Sequence, residues 1–362
     1  MPIEMGFNLK LPKVFYFRFF ILGLAVFMIA GISILLFLDK YYLMDNSNVT
    51  GVLVNSKINT NAKVIMPQDA KNIMYSADGD YITYIENDKI QVIDLSSGDK
   101  KEVVADDKMT FSFYKWVGDR DRLIIAEKST SNSYFKLYYY DVINNNTVEI
   151  SNGSNQSIIK IPANGKSDAV TDIQMSPFTN LIYIKMTNSS KTTHIYRMTI
   201  MASGGNIYLP YNNIGTINLL TNDDILLYEN LSTNKIYLRG KSAAFTIKGA
   251  NETIKYFKII GSDNEDVIYL AGYTQGSTKS NSVYYGNDAK GWTMSTLSQP
   301  VDFSNIFVSI SGEICVNYAE YNVIFRINDG LQTKYPGKLI GVYTDGIISL
   351  QNNQVTRTKF SK

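Results

Sequence analysis

The sequence predicts an all-β chain: a seven-bladed β-propeller, with six blades as the alternative, preceded by one N-terminal transmembrane helix. Three observations lead there. Beyond residue 45 no segment sustains a 3.6-residue apolar period with caps; short β-branched and aromatic runs recur about every eight to twelve positions between turn residues. Those runs group in fours, with a mean spacing of about 45 residues between groups, which falls in the propeller range. Ahead of them stands Phe19–Leu38, twenty residues without a charge.

The clearest unit is Asn72–Val104. Asn72–Ser76 reads as a strand, and Ala77-Asp78-Gly79-Asp80 as a turn, because Gly accepts positive φ and Asp bonds its own backbone. Tyr81–Glu86 (YITYIE) suits a pleated, packed surface. Asn87-Asp88 makes a two-residue hairpin into Lys89–Asp94. Ser96–Asp99 turns the chain into a fourth strand, Lys101–Val104. A meander this short cannot bury both faces alone; stacked copies can.

The later units follow the same order. Thr110–Ile150 is the second, and a polar connector, Ser151–Lys166, separates it from the third, Ala169–Leu209. The fourth is Ile214–Ile247, the fifth Ile254–Leu297 and the sixth Phe303–Lys334, each read with four strands. Lys338–Phe360 offers only three, so a strand from Thr50–Met66 (GVLVN or AKVIM) is expected to complete that blade and close the ring. Closure removes exposed edges. Middle strands such as LIIAE and LIYIKM are apolar on both faces, as blades covered on both sides require.

At about 1.5 Å per residue, Phe19–Leu38 spans ~30 Å, the hydrocarbon thickness of a bilayer. It is longer than a signal-peptide core and lacks a small-residue cleavage site. Lys10, Lys13 and Arg18 favour an internal amino terminus. The expected organisation is a cytoplasmic tail over 1–18, a membrane helix over 19–38, a linker over 39–49 and an extracytoplasmic propeller over 50–362, with 50–66 closing the last blade. Gly23 and Gly31 read as tolerated small residues.

The chain carries 35 basic and 33 acidic side chains, and once Lys10, Lys13, Arg18 and Glu4 are set aside the two signs balance. Neither nucleic acid nor an anionic lipid surface is expected as the main partner. The single cysteine, Cys315, allows no intrachain disulfide and reads as a small buried hydrophobe.

Tyr75-Ser76-Ala77-Asp78-Gly79-Asp80-Tyr81-Ile82-Thr83-Tyr84 resembles the Ser-Pro-Asp-Gly-x-x-Ile-Ala-Tyr run of TolB-like and dipeptidyl-peptidase-IV-type propellers. Met175–Tyr183 is similar to it without the Asp-Gly, and Trp116–Ile124 looks like a Trp-x-x-Asp variant. The likeness covers most of residues 72–210. The Gly-His and Trp-Asp pairs of WD40 repeats are absent, so only a WD40-like repeat organisation is implied. The peptidases of that family add an α/β-hydrolase domain. Here the chain ends at Ser361-Lys362, so the resemblance implies a propeller without peptidase activity.

A search for chemistry assigns no catalytic residue. No Gly-x-Ser-x-Gly elbow is present, and the only histidine, His194, reads as a strand residue at a blade rim. One His and one Cys exclude an ordinary zinc site. Asp263-Asn264-Glu265-Asp266 lacks the spacing of a calcium loop and reads as a solvated turn, as does Asp119-Arg120-Asp121-Arg122. No glycine-rich phosphate loop opens a helix, and no metal or cofactor is assigned. Tyr138-Tyr139-Tyr140 and Tyr284-Tyr285 alternate faces and are expected to pack between blades. The expected function is a non-catalytic, membrane-anchored module that binds a protein or a cell-wall polymer. The alternatives are a glycan hydrolase or lyase using carboxylates near the axis, and a solute sensor. Three convergent acids in a deep axial pocket would favour the enzyme, and a shallow uncharged rim the binder.

Overall fold

The computed structural model describes residues 27–28, 30–33, 63–118, 120–150, 159–176, 178–199, 204–247, 254, 256–287 and 290–361. The chain divides into two units, Met1–Lys57 and Ile58–Lys362. In the first, residues 27–28 and 30–33 are helical, with Phe27, Met28 and Ile32 exposed. Among the described residues no helix is long and apolar enough to cross a membrane. The expected tail, linker and most of the Phe19–Leu38 run lie outside those residues.

The second unit is built from seven antiparallel sheets, so the six-blade alternative is set aside. Blade one is β1 (Lys71–Tyr75), β2 (Tyr81–Glu86), β3 (Lys89–Asp94) and β4 (Lys100–Val103). Its two-residue hairpin places Asn87 and Asp88 at φ 50° and 58°, as such a connection requires. Blade two is β5 (Met109–Trp116), β6 (Arg122–Ser129), β7 (Tyr134–Asp141) and β8 (Asn146–Glu149), with β9 (Ile161–Pro162) also paired to β7. Blade three is β10 (Ala169–Ser176), β11 (Leu181–Thr187), β12 (Thr193–Thr199) and β13 (Gly204–Ile207). Blade four is β14 (Ile214–Leu219), β15 (Leu226–Asn230) and β16 (Lys235–Leu238). Blade five is β17 (Tyr256–Ser262), β18 (Ile268–Tyr273), β19 (Lys279–Asn287) and β20 (Gly291–Asp302). Blade six is β21 (Ile306–Val308), β22 (Ile314–Tyr318), β23 (Val323–Arg326) and β24 (Gln332–Lys334). Blade seven is β25 (Lys338–Tyr343), β26 (Gly346–Gln351) and β27 (Gln354–Lys359).

Within the polar connector Ser151–Lys166, Ile161 is buried and pairs with Phe135 of β7. One expectation is corrected. The fourth strand expected in blade four is only a bridge from Tyr237 to Ala244, followed by Phe245 N donating to Ile236 O at 2.8 Å. Ser242-Ala243-Ala244 carries too little side chain to support a ladder through cross-strand packing.

At the outer edge of β27, Val355 N donates to Val64 O at 2.9 Å and Met66 N donates to Asn353 O at 2.7 Å. Residues 63–66 therefore occupy the place of a fourth strand in blade seven, while 50–62 lie outside the described residues. Seven apolar cores fill the seven seams, one each. The core between blades seven and one joins Met66, Tyr343 and Ile348 to Ile82 and Tyr84. At six of the seven seams the first strands of neighbouring blades lie side by side around the axis. Those of blades one to five and seven carry a register shift, which bends the strand.

Candidate functional site

The turns from first to second strand gather at one end of the axis, and their side chains explain their sequences. In blade one Ser76 Oγ donates to Asp78 Oδ1 at 2.5 Å and accepts from Tyr81 N at 3.0 Å, while Asp80 N donates to Asp78 Oδ1 at 3.0 Å. Gly79 has φ +73°, and a Cβ there would lie 2.6 Å from Tyr343 Cγ of blade seven, so no side chain fits. The turns also join one another. Thr344 Oγ1 donates to Ala77 O at 2.8 Å, Thr221 Oγ1 to Asp263 O at 3.2 Å and Asn264 N to Ile310 O at 3.0 Å, while Ser176 Oγ hydrogen-bonds Thr221 O.

Within this rim lies a cavity of about 240 Å³. Trp116, Ile173, Met175, Leu219 and Ile310 supply its apolar wall, and Gln174, Thr221, Ser262 and Asn264 its uncharged polar groups. Lys115 is the one charged group among its described lining residues, and none of those residues is a carboxylate. Lys115 Nζ donates to Ile173 O at 3.2 Å and lies 3.6 Å from Asp172 Oδ1. Trp116 is fixed by its indole, which donates to Thr83 Oγ1 at 3.2 Å, and by stacking on Tyr81 at 5.8 Å between ring centroids.

A second recess, about 290 Å³, adjoins it and is lined by Asp78, Arg120, Asp121 and Ile310. Burial, then the charges of Asp78, Asp80 and Asp141, hold the Asp121 carboxyl above its ordinary range. Burial and the surrounding aspartates push the Tyr81 hydroxyl up to about 12. Asp78, Asp80, Asp121 and Asp141 thus gather at the corner between blades one and two, with Arg122 paired to Asp141, Arg357 paired to Asp80 and Arg120 lining the recess. A third recess, about 130 Å³, opens between blades six and seven. Ile310 lines all three and is 41% exposed. Ile143, Phe178 and Ile225 are exposed on turns at the same end of blades two, three and four.

The residues weighed from sequence are mostly structural. Tyr138 and Tyr140 fill the seam between blades one and two, and Tyr139 packs in the seam between two and three, as alternation requires. Tyr284 fills the seam between blades four and five. His194 lies in β12 opposite Met186. Cys315 is buried in the core between blades six and seven, and burial pushes its thiol up to about 12. The loop Asp263–Asp266 is not the solvated turn expected. Asp263 is buried and accepts from Glu265 N and Val267 N, both at 2.9 Å, and from Tyr269 Oη at 2.8 Å. Asp266 accepts from Thr221 N at 2.6 Å and so caps the neighbouring turn. Among the described residues no three His, Cys, Asp or Glu side chains gather to hold a metal ion. Sequence reasoning missed Lys115, Gln174 and Ile310, and weighed Asn264 only as part of an acidic loop. Their one available signal is position, at or just before the first turn of a blade.

The arrangement is suited to directional hydrogen bonding and apolar contact. A general acid–base pair beside a nucleophile is not among its described groups.

No protein-family profile matches the chain, and no curated protein matches it by sequence. Solved structures do match by fold. An oligogalacturonate lyase in complex with manganese superposes with a TM-score of 0.53 at 10% identity, over 81% of this chain and 90% of that one. The Vibrio parahaemolyticus oligogalacturonate lyase gives 0.49 at 9% identity, over 80% and 87%. Kluyveromyces lactis Hsv2p gives 0.43 at 12% identity, over 78% and 90%. At this identity the first likeness shows the fold alone: the chain is a seven-bladed β-propeller similar in architecture to an oligogalacturonate lyase.

Proposed function

We propose that the chain is a membrane-tethered recognition propeller that binds a protein or cell-wall partner without catalysis, through the turn end of its axis. The observation behind this reading is the axial cavity, which offers amides, hydroxyls and an exposed Ile310 but no carboxylate among its described lining residues. A polar-rimmed apolar centre of this kind is what recognition surfaces present. The tether is the uncharged run Phe19–Leu38, long enough to span a bilayer. Lys10, Lys13 and Arg18 place the propeller outside the cytoplasm in this reading.

Mild cross-linking on intact cells, followed by recovery of the full chain, tests the proposal. A reproducible partner is expected; none after repeated recoveries overturns it. Protease added to whole cells should cut the large domain. Protection until lysis would reverse the topology. The catalytic alternative has only likeness of fold behind it. Incubation with oligogalacturonate should produce no ultraviolet absorbance from an unsaturated uronate, and its appearance would replace the binding reading with a lyase.

A further inference from the structure

We propose that the seam between blades six and seven receives an aliphatic side chain of a partner protein, and that Asp78 and Asp121 hold a lysine or arginine next to it in that partner. This deepens the recognition reading above and rests on it.

The seam differs from the other six. Its core has four fully buried side chains, Cys315, Ile324, Tyr335 and Ile347, fewer than any other seam. The short β21 lacks the register shift of the other first strands. Among the described residues no hydrogen bond joins the Ser309–Gly312 turn to the Thr344-Asp345 turn, whereas four of the other six turn pairs, those of blades seven and one, three and four, four and five, and five and six, are joined. What is left is the 130 Å³ recess walled by Phe307, Val308, Cys315, Val342, Tyr343 and Phe360.

That space is well below the roughly 300 Å³ at which drug-sized ligands begin to fit, and it suits one side chain. Most of its wall is carbon plus a thiol, with Ser309, Glu313 and Thr344 also lining it. Against the carbon-walled part formed by Phe307, Val308, Val342 and Phe360, sugar hydroxyls would lose hydrogen bonds to water, so an aliphatic group is favoured there. The recess shares Ala77, Ile310 and Thr344 with the recess that holds Asp78 and Asp121. Of the charges there, Asp80 is taken by Arg357, and Arg120 lines the recess beside the two acids. Among the described residues lining that recess, two carboxylates face one guanidinium. A cation next to the aliphatic group complements that balance.

The test uses the full chain in lipid nanodiscs and ligand-observed saturation-transfer NMR. Three probes are compared: N-acetyl-Leu-Arg-amide, N-acetyl-Leu-Glu-amide and N-acetyl-Ser-Arg-amide. The leucine–arginine probe should take up about fivefold more saturation than either of the others, with the contrast to the glutamate probe shrinking in salt. Asp78→Asn/Asp121→Asn should bring the two leucine probes level. Val342→Phe should fill the recess and remove the leucine methyl signal. Equal or absent signals from all three probes, or a preference that survives the double Asn variant, overturn the inference. Failure here and failure of the recognition reading are distinguishable. A partner still cross-linked in cells to both variants sinks the seam assignment alone, while no partner on the wild-type chain sinks recognition itself.

Discussion

Arg357 of β27 donates through Nη1 to Asp80 Oδ1 at 2.5 Å and to Gly79 O at 3.2 Å, so the last blade grips the turn of the first. Arg197 of β12 makes the same grip on Asp224 in the turn of the next blade, at 2.7 Å from Nη2. A cation on a third strand reaching the turn of the following blade is thus a repeated clasp, used once where the chain closes on itself. Its value is limited by water: the Arg357 and Asp80 side chains are 24% and 52% exposed. Arg357→Ala should therefore cost about 1 kcal/mol in urea unfolding. Met66→Ala, which empties a site 1% exposed in the core of the same seam, should cost about 3 kcal/mol. A larger loss for Arg357→Ala would mean that the clasp, and not packing, holds the ring shut.

Glu229 bridges blades four and five from a buried position. Its carboxylate accepts from Thr216 N at 3.0 Å, from Ile259 N at 2.8 Å and from Lys258 Nζ at 2.6 Å. Thr216 lies at the register shift of β14, where the ladder leaves its amide without a strand partner. Glu229→Ala would strand two amides and a lysine, at a cost of about 3–4 kcal/mol. Glu229→Gln keeps one acceptor and should recover about half of that. Equal losses for the two variants would show that the carboxylate acts by filling space.

Much of the fold was legible in the sequence because the blade is a local object. Turn residues such as Asp78-Gly79 and Asn87-Asp88 declare themselves, and strands such as Tyr81–Glu86 and Lys89–Asp94 lie where the alternation puts them. Blade four misled because AFTI has the β propensity of a strand, yet it follows a small-residue run that cannot hold a ladder. The site was hardly legible. Lys115, Gln174, Asn264 and Ile310 come from four blades and meet only through ring closure, which no local pattern encodes. Asp263 and Asp266 looked solvated because their partners, Tyr269 and the Thr221 amide, are set by packing.

Acid should act through Asp141. Burial pushes its carboxyl up, but the Asn144 amide and the Arg122 guanidinium, each 2.9 Å away, outweigh this and hold it below its ordinary range. A carboxyl lowered by folding contributes stability that is present above its unfolded pKa, about 3.9, and is lost as pH falls through the lower folded value. Asp141→Asn should thus be about 1 kcal/mol less stable than wild type at pH 7, with the gap closing below about pH 3. A gap that stayed constant across this range in pH-dependent urea unfolding would assign the loss to shape.

Cys315 offers a probe of the weakest seam. It is 3% exposed, and burial holds its thiol near 12, so little thiolate forms at pH 8 and little of it is reachable. Maleimide labelling of the native chain should be at least about a hundredfold slower than of the urea-unfolded chain. As the single cysteine, it needs no background correction. Labelling in native buffer at a rate close to the unfolded one would mean that blades six and seven separate readily.

Ile310 carries the most direct functional prediction. It lines all three recesses of the turn end yet is 41% exposed, so its side chain contributes little to the core. Ile310→Ser should change unfolding free energy by no more than about 0.5 kcal/mol. An exposed apolar group at the centre of a recognition surface is the kind of position where truncation removes 2 kcal/mol or so of binding. Partner recovery after cross-linking should then fall by at least about tenfold while the amount of folded chain in the membrane fraction is unchanged. Wild-type recovery from Ile310→Ser cells would move the recognition surface away from this end of the axis, to the opposite rim where Tyr208 and Tyr321 are exposed.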